Sequence, residues 1–346
     1  MDTLISGAAF GAALTASGVF QPSVIISQLK FQSFHMIQAF LTAAASSACI
    51  VTAAHKLGYV HLSPRSFSSL GLFGRGDGNI IGGLLLGAGM MLSGACPGTV
   101  LAQVGLGVRS GFYALQGAVL AGIFWTGVFQ PFLARSCPAK AAAPGETLTV
   151  YENLGVKRST FLLGFEALCA AVVAATLAYT TMGPEAKIHP ILGGLCIGAA
   201  QLTSLLLRKS LMGTSTSYEE IGNWFWGFFK GNVPQKSTNI LFCSGMVGGA
   251  WLLGSFYPAL AKVTAVSVSP LSAGLGGFLM ILGSRIAGGC TSGHGISGIS
   301  LMSTSSFLTI AAAFGAVSEL VGHHMGAEGV SFASATSFAF CFGRFP

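Results

Sequence analysis

The chain has 346 residues, of which 52% are apolar and only 8% are Asp, Glu, Lys or Arg, with a net charge of +7. An ordinary soluble domain carries about 25% charged residues, and at a mean hydropathy of +0.72 this chain cannot clothe a water-facing surface. A soluble globular protein is thereby excluded, and an all-α integral membrane protein is predicted.

The 49 glycines fit that class, because glycine lets membrane helices approach closely and lets them break. The positive balance is not read as a nucleic-acid footprint. Arg65 and Arg75, Arg135 and Lys140, Lys157 and Arg158, and Arg208 and Lys209 lie in short loops, where they bear on topology.

From the start, Met1-Asp2-Thr3 leads straight into apolar sequence without the basic opening of a cleaved leader. The first segment therefore reads as a retained helix. A span takes about 20 apolar residues, and candidates run over 3–20, 34–54, 79–94 and 110–134, then over 159–181, 190–207, 238–261, 270–288 and 305–323. The expectation is about nine transmembrane helices plus short broken or re-entrant ones. They fall into two pseudo-repeated halves, 1–134 and 159–325, joined by a polar linker over 135–158, with a tail over 326–346 that is left unassigned. Asn223-Trp-Phe-Trp-Gly-Phe-Phe-Lys230 is too short to span and reads as a segment at the membrane–water interface.

Two of the spans end in the same way. Gly87-Ala-Gly-Met-Met-Leu-Ser-Gly-Ala-Cys-Pro-Gly-Thr99 and Gly283-Ser-Arg-Ile-Ala-Gly-Gly-Cys-Thr-Ser-Gly-His-Gly-Ile-Ser-Gly298 each set one thiol in a run of small residues. Aligning Cys96 with Cys290 also aligns Gly82-Gly83 with Gly276-Gly277 and Gly94 with Gly288. Short apolar stretches follow at 100–106 and 296–302, Pro97 suits a first helical turn, and Thr99 or Ser292 is placed to cap. Each unit reads as a half-helix, a thiol-bearing turn and a second half-helix. Broken backbone belongs on a protein-lined pathway, since in lipid its amides would go unpaired. Breaks at corresponding points of two halves point to a transporter's central site.

Helix N-termini at such breaks favour an anion, and thiols add a soft, polarizable contact. The predicted pathway residues are Gly94, Ala95, Cys96, Pro97, Gly98 and Thr99 on one side. On the other are Arg285, Gly288, Gly289, Cys290, Thr291, Ser292, Gly293 and His294. Arg285 either attracts the anion or pairs with Glu166 or Glu319, and His294 helps line the site. Cys49, Cys169, Cys196 and Cys243 read as packing residues. With no CxxC pair or Cys/His metal spacing and no P-loop lysine after Gly74-Arg-Gly-Asp-Gly78, the sequence calls for no disulfide framework, metal or cofactor.

On these residues the chain resembles the YeeE/YedE sulfur-transport family. The resemblance rests on Ala287-Gly-Gly-Cys-Thr-Ser-Gly-His-Gly-Ile-Ser-Gly298, on Leu92-Ser-Gly-Ala-Cys-Pro-Gly-Thr99 and on Gly7-Ala-Ala-Phe-Gly11. It implies thiosulfate uptake by an hourglass-like helical protein, the ion passing between cysteines through S–H···S hydrogen bonds. By motif, Cys96 and Cys290 take the place of two relay cysteines. The family's further cysteine, after the first glycine-rich segment, has no counterpart in Ser17-Gly-Val-Phe-Gln21. A plasma-membrane location and a soluble sulfur-carrier or sulfurtransferase partner are the corresponding expectations. Two alternatives stay open: a membrane-embedded thiol sulfurtransferase, which is an enzyme, and a general anion channel with incidental cysteines.

Overall fold

The computed structural model describes the chain except for residues 137–146, 181–186, 233, 235, 236, 265, 267 and 326–346; of residues 316–325 it describes the backbone alone. The unassigned tail and much of the polar linker lie outside the described residues. Those described form helices and turns, with one isolated bridge between Thr149 and Ser303.

The helices are α1 (Asp2–Ala16), α2 (Pro22–Leu29), α3 (His35–Lys56), α4 (Asp77–Ser93) and α5 (Thr99–Gly105). Next, α6 (Arg109–Phe124) runs through a π turn, Trp125–Phe129, into α7 (Gln130–Ser136). After the linker come α8 (Val150–Asn153), α9 (Arg158–Tyr179), α10 (Pro190–Arg208), α11 (Ser215–Lys230), α12 (Thr238–Phe256) and α13 (Pro258–Ala261). The chain closes with α14 (Pro270–Ile286), a π segment (Ser292–Gly298) and α15 (Thr304–Met325).

Five helical stretches are long and apolar enough to cross a membrane: His35–Lys56, Arg109–Arg135, Arg158–Tyr179, Pro190–Arg208 and Thr238–Phe256. Large apolar side chains on them stay exposed, as at Leu163, Leu168, Leu192 and Trp251, which suits a surface bathed in lipid. The chain is an integral, multi-pass membrane protein.

The breaks have local causes. Prolines at the first helical positions of α2, α10 and α14 fit where an amide hydrogen is not needed. Gly94 after α4 (φ 62°) and Gly288 beyond α14 (φ 80°) both turn left-handed, a conformation that a side chain disfavours. These are the two glycines that the sequence alignment equates. Breaks follow α1 and α10 as well, so that α2 and α11 also begin at interruptions.

Packing brings the breaks together. Helix α1 lies along α12, α10 along α3, α14 along both α4 and α6, and α15 along α4, while α1 also meets α10. Helices α4 and α14 cross with their backbones nearly touching. A Cβ on Gly82 would sit 2.4 Å from the Ala287 nitrogen, and one on Gly283 2.5 Å from the Leu86 nitrogen. Gly89 and Gly276 repeat this further along, at 2.3 Å from the Met280 nitrogen and 2.5 Å from the Ser93 nitrogen. Without a hydrophobic force between helices in lipid, such close approach is what holds the crossing.

Some local expectations change. Neither Thr99 nor Ser292 caps a helix in the expected way: no side chain caps α5 or the final π segment. Thr99 Oγ1 instead accepts from the Cys96 amide at 2.7 Å. The second half-helix of the later unit starts at Ser292 as a π segment, ahead of residue 296. The aromatic stretch ending at Lys230 is the second part of α11. Trp224, Phe225, Phe228 and Phe229 are exposed there, while the helix begins at buried Ser215.

Candidate functional site

The break between α4 and α5 places Cys96, which is 8% exposed. Its Sγ accepts from the Thr99 amide at 3.4 Å. Gln103, on α5, donates through Nε2 to Phe20 O at 2.8 Å and to Gly94 O at 2.9 Å. One amide thus ties this break to the one after α1. Ala95 is fully buried, and Gly98 faces Phe10, Leu14 and Met246.

Cys290 is fully buried in the turn after α14. Its Sγ lies 3.2 Å from Ser292 Oγ and 3.4 Å from Thr214 Oγ1. Thr214 is the residue immediately before α11. Two hydroxyls, from two separate segments, therefore contact the sulfur.

A third thiol joins them. Cys243, on α12, donates to Ser217 Oγ at 3.0 Å, and Ser217 donates to Thr214 O at 2.6 Å. Tyr218, 1% exposed, donates to Pro97 O at 3.1 Å. It lies within electrostatic reach of Cys96, Cys243 and Cys290. Thr214, Ser217, Tyr218 and Cys243 were not singled out by the sequence. Only the hydroxyl-rich run Thr214-Ser-Thr-Ser-Tyr218 between two apolar stretches signals them.

Beside Cys96 is a small cavity lined chiefly by Phe10, Leu14, Met36, Phe40, Ile197 and Ile296, with Thr291 and Ser292 at its polar edge. Its volume is about 20 Å³, room for a single water. Thr291 is 1% exposed, and its Oγ1 has no hydrogen-bond partner among the described residues.

Two cations flank the Cys290 turn. Arg285 pairs with Glu219 on α11, and its guanidinium lies 5.9 Å from the Trp125 ring centroid. The expected partners are thereby corrected: Glu166 accepts instead from Cys49 Sγ at 3.4 Å, and the side chain of Glu319 lies outside the described residues. Arg65 is the second cation. Its Nη1 donates to Gly288 O at 3.0 Å, which ties the loop before α4 to the turn after α14. His294, 1% exposed, meets Ala287 O through Nε2 at 3.1 Å and Ser306 Oγ through Nδ1 at 2.9 Å. Because Ala287 O only accepts, Nε2 carries a hydrogen, and the ring braces the turn that holds Gly288 and Gly289.

The loop bearing Arg65 is fastened by Asp77 at the start of α4. Its carboxylate accepts from the amides of Leu70 (2.6 Å), Leu72 (2.7 Å), Gly78 (2.8 Å) and Phe73 (3.4 Å). Burial pushes this carboxyl up, but the amide donors outweigh it and hold it below the usual carboxylate range. A depressed value contributes stability above the unfolded value of about 3.9, and that stability is lost as pH falls through the lower folded value. Asp77→Ala is expected to cost about 2–3 kcal/mol near neutral pH. Thermal unfolding of the purified protein at several pH values checks this. The gap between variant and wild type narrows as the medium is made more acid, and a constant gap would refute the assignment.

A sequence profile for the family described as Sulphur transport matches residues 16–318. Among curated proteins, the chain is 25% identical over 319 residues to the thiosulfate transporter TsuA of Spirochaeta thermophila, covering 88% of this chain and 93% of that protein. It is also 36% identical over 123 residues to a protein called a probable transporter in Xylella fastidiosa strain Temecula1, covering 36% of this chain and 84% of that one. The counterpart from strain 9a5c is 34% identical over the same length.

Proposed function

The chain belongs to the sulphur-transport family, and from that premise we propose that it takes up thiosulfate, passing the anion along Cys290, Cys243 and Cys96. The single observation that carries this reading is that one short stretch, 214–218, touches all three thiol segments: Thr214 Oγ1 meets Cys290, Ser217 Oγ meets Cys243, and the Tyr218 hydroxyl meets the carbonyl of Pro97 beside Cys96. A fold that needed only filler would not bring three weakly polar sulfurs and a phenol to one place, with hydroxyls bridging two of them. Unpartnered Thr291 Oγ1 adds a free polar group on the cavity beside Cys96. The chain's own Cys243 stands in for the relay thiol missing near Phe20, where Gln21 instead accepts from Thr264 Oγ1 at 2.6 Å.

We infer the finer architecture on the same footing. The five long apolar helices with α1, α4, α14 and α15 make about nine crossings. Two halves, 1–134 and 159–325, are supported by the exchange of partners in the packing. If α1 corresponds to α10, α3 to α12, α4 to α14 and α6 to α15, then α1 on α12 matches α10 on α3, and α6 on α14 matches α15 on α4. A shorter relative supports it too, since 123 residues of this chain match 84% of its length. Uptake places the protein in the plasma membrane, where a soluble sulfur carrier or sulfurtransferase would receive the cargo.

Radiolabelled thiosulfate uptake in cells lacking their own route tests this. Expression is expected to restore uptake, and a large excess of unlabelled sulfate should leave it undiminished. Sulfate competing as well as unlabelled thiosulfate would instead identify a general anion channel.

The donors around Cys290 favour one second reading. A Cys290 thiolate in contact with the Ser292 and Thr214 hydroxyls could attack the terminal sulfur of thiosulfate. The S–S bond would break, sulfite would leave with the electron pair, and Cys290 would carry a persulfide. Mass spectrometry of protein isolated with thiosulfate separates the two, because relay transport leaves Cys290 unmodified.

A further inference from the structure

The connection between α3 and α4, residues 57–76, runs its whole length without a helix or strand. Irregular loops longer than about 12–15 residues are uncommon in ordered proteins and usually functional. Lys56, His61 and Arg75, at its ends and along it, are exposed, which sets this strap at an aqueous face. Its inner side is fastened around the turn that carries Cys290. Ser68 Oγ donates to Ile286 O at 2.5 Å. The Arg65 amide donates to Ser303 Oγ at 2.8 Å, and the Arg65 carbonyl accepts from Ser305 Oγ at 3.0 Å. Asp77 clasps the far end.

From the strap the Arg65 side chain reaches inward, into a socket made of glycines. A Cβ on Gly289 would lie 2.9 Å from Nη1, one on Gly293 3.2 Å from Nη2, and one on Gly298 3.2 Å from Cδ. A methyl at any of these positions would crowd the arginine, so its close seating is what the three glycines permit. Gly293 in turn backs onto the thiol, the same Cβ lying 3.5 Å from Cys290 Sγ. Nη1 donates to Gly288 O. Neither Nε nor Nη2 is among the buried atoms left without a partner, so the outer edge of the fork keeps its contact with water. On this face, one side chain seated on a glycine turn stands between the buried thiol and the aqueous phase.

We propose that Arg65 is a gate: its side chain, latched to the Gly288 carbonyl, shuts Cys290 off from water and swings out of the glycine socket to open it. The strap itself stays in place, because the amide and the carbonyl of Arg65 are both clamped, so the motion is confined to the rotatable bonds of the side chain. Arginine suits the task, since its long stem packs against the turn while its head turns readily to solvent. Whatever reaches or leaves Cys290 by this face must pass the place that Arg65 fills. The inference goes beyond the uptake reading by naming the part that moves, and it holds whichever ion is carried.

The test is the rate at which iodoacetamide alkylates Cys290 in the detergent-purified full chain, read by mass spectrometry on the peptide that contains it. Cys169 and Cys243, also buried, are followed as internal controls. Removing a cation beside a thiol disfavours the reactive thiolate. That change alone would slow the reaction, so a faster one reports access. Arg65→Ala is expected to speed alkylation of Cys290 at least tenfold and to leave both controls unchanged. Arg65→Met keeps a stem in the socket but cannot hold Gly288 O, and its rate should fall between the two. Cys290 reacting at or below the wild-type rate in Arg65→Ala overturns the gate. All three thiols speeding up together marks a loosened fold and overturns it as well. If Arg65→Ala does not fold, Arg65→Met decides by the same two criteria. No thiosulfate enters the measurement, so failure of the gate and failure of the uptake reading are seen separately.

Discussion

Cys290→Ala is expected to lower thiosulfate uptake at least a hundredfold while the protein still folds and reaches the membrane. The thiol is fully buried and touches Ser292 and Thr214, and its removal leaves those two hydroxyls without their shared partner. Each unsatisfied donor costs about 1–3 kcal/mol, but hydroxyls can rotate to one another and a water can fill the vacated space. Transport has no such substitute. If the passing sulfur loses one soft contact and one aligned set of donors, two factors of ten need only about 1.4 kcal/mol each. Cys290→Ser separates these contributions. A hydroxyl satisfies the same donors but is hard and weakly polarizable, so Ser is expected to restore stability and not uptake. The readings are radiolabelled uptake normalised to membrane content and the unfolding temperature of each purified variant. Uptake at the wild-type level in the Ser variant would refute a sulfur-to-sulfur relay.

The second large effect concerns stability. Glu219→Ala is expected to destabilise the protein by about 3–5 kcal/mol, because it strands a buried guanidinium. Arg285 and Glu219 are only 15% and 18% exposed, and they join α14 to α11 directly behind Cys290. Replacing both charges, as in Arg285→Met with Glu219→Leu, should recover most of the loss, since paired buried charges contribute little net stability over apolar residues of similar volume. Thermal unfolding in detergent measures both variants. If Glu219→Ala unfolds with wild type, the pair is an incidental contact.

The sequence was legible where chemistry and breakage coincide. Cys96 and Cys290 stand out because glycines interrupt apolar runs around them, and Gly94 and Gly288 adopt the same left-handed turn that their alignment implies. The thiols' neighbours were not legible, because they come from elements far away in the chain. Cys243 lies in an unbroken apolar helix, where a cysteine reads as filler, and only the approach of Ser217 gives it a polar role. Tyr218 and Thr214 were hidden by a boundary effect: the aromatic end of α11 dominates any hydropathy window, so its polar start reads as loop. Arg65 does lie in the loop before α4, but local sequence carries no sign that its guanidinium meets a carbonyl more than two hundred residues away. The Arg285 partner failed for the same reason, Glu219 being masked within that polar start.

The cavity beside Cys96 bears on the cell's energy supply. A plasma membrane holds a voltage worth about 2.3 kcal/mol per charge for every 100 mV, and any continuous water column through a protein would let protons drain it. Phe10, Leu14, Met36, Phe40, Ile197 and Ile296 close around a space of about 20 Å³, too little for a chain of waters. On the proposed uptake route, this closure would keep the resting protein from leaking charge. A sulfur anion taking that route would have to part these side chains to pass, so flux would be counted in single passages rather than in streams, and the cell could keep many copies in its membrane without short-circuiting itself.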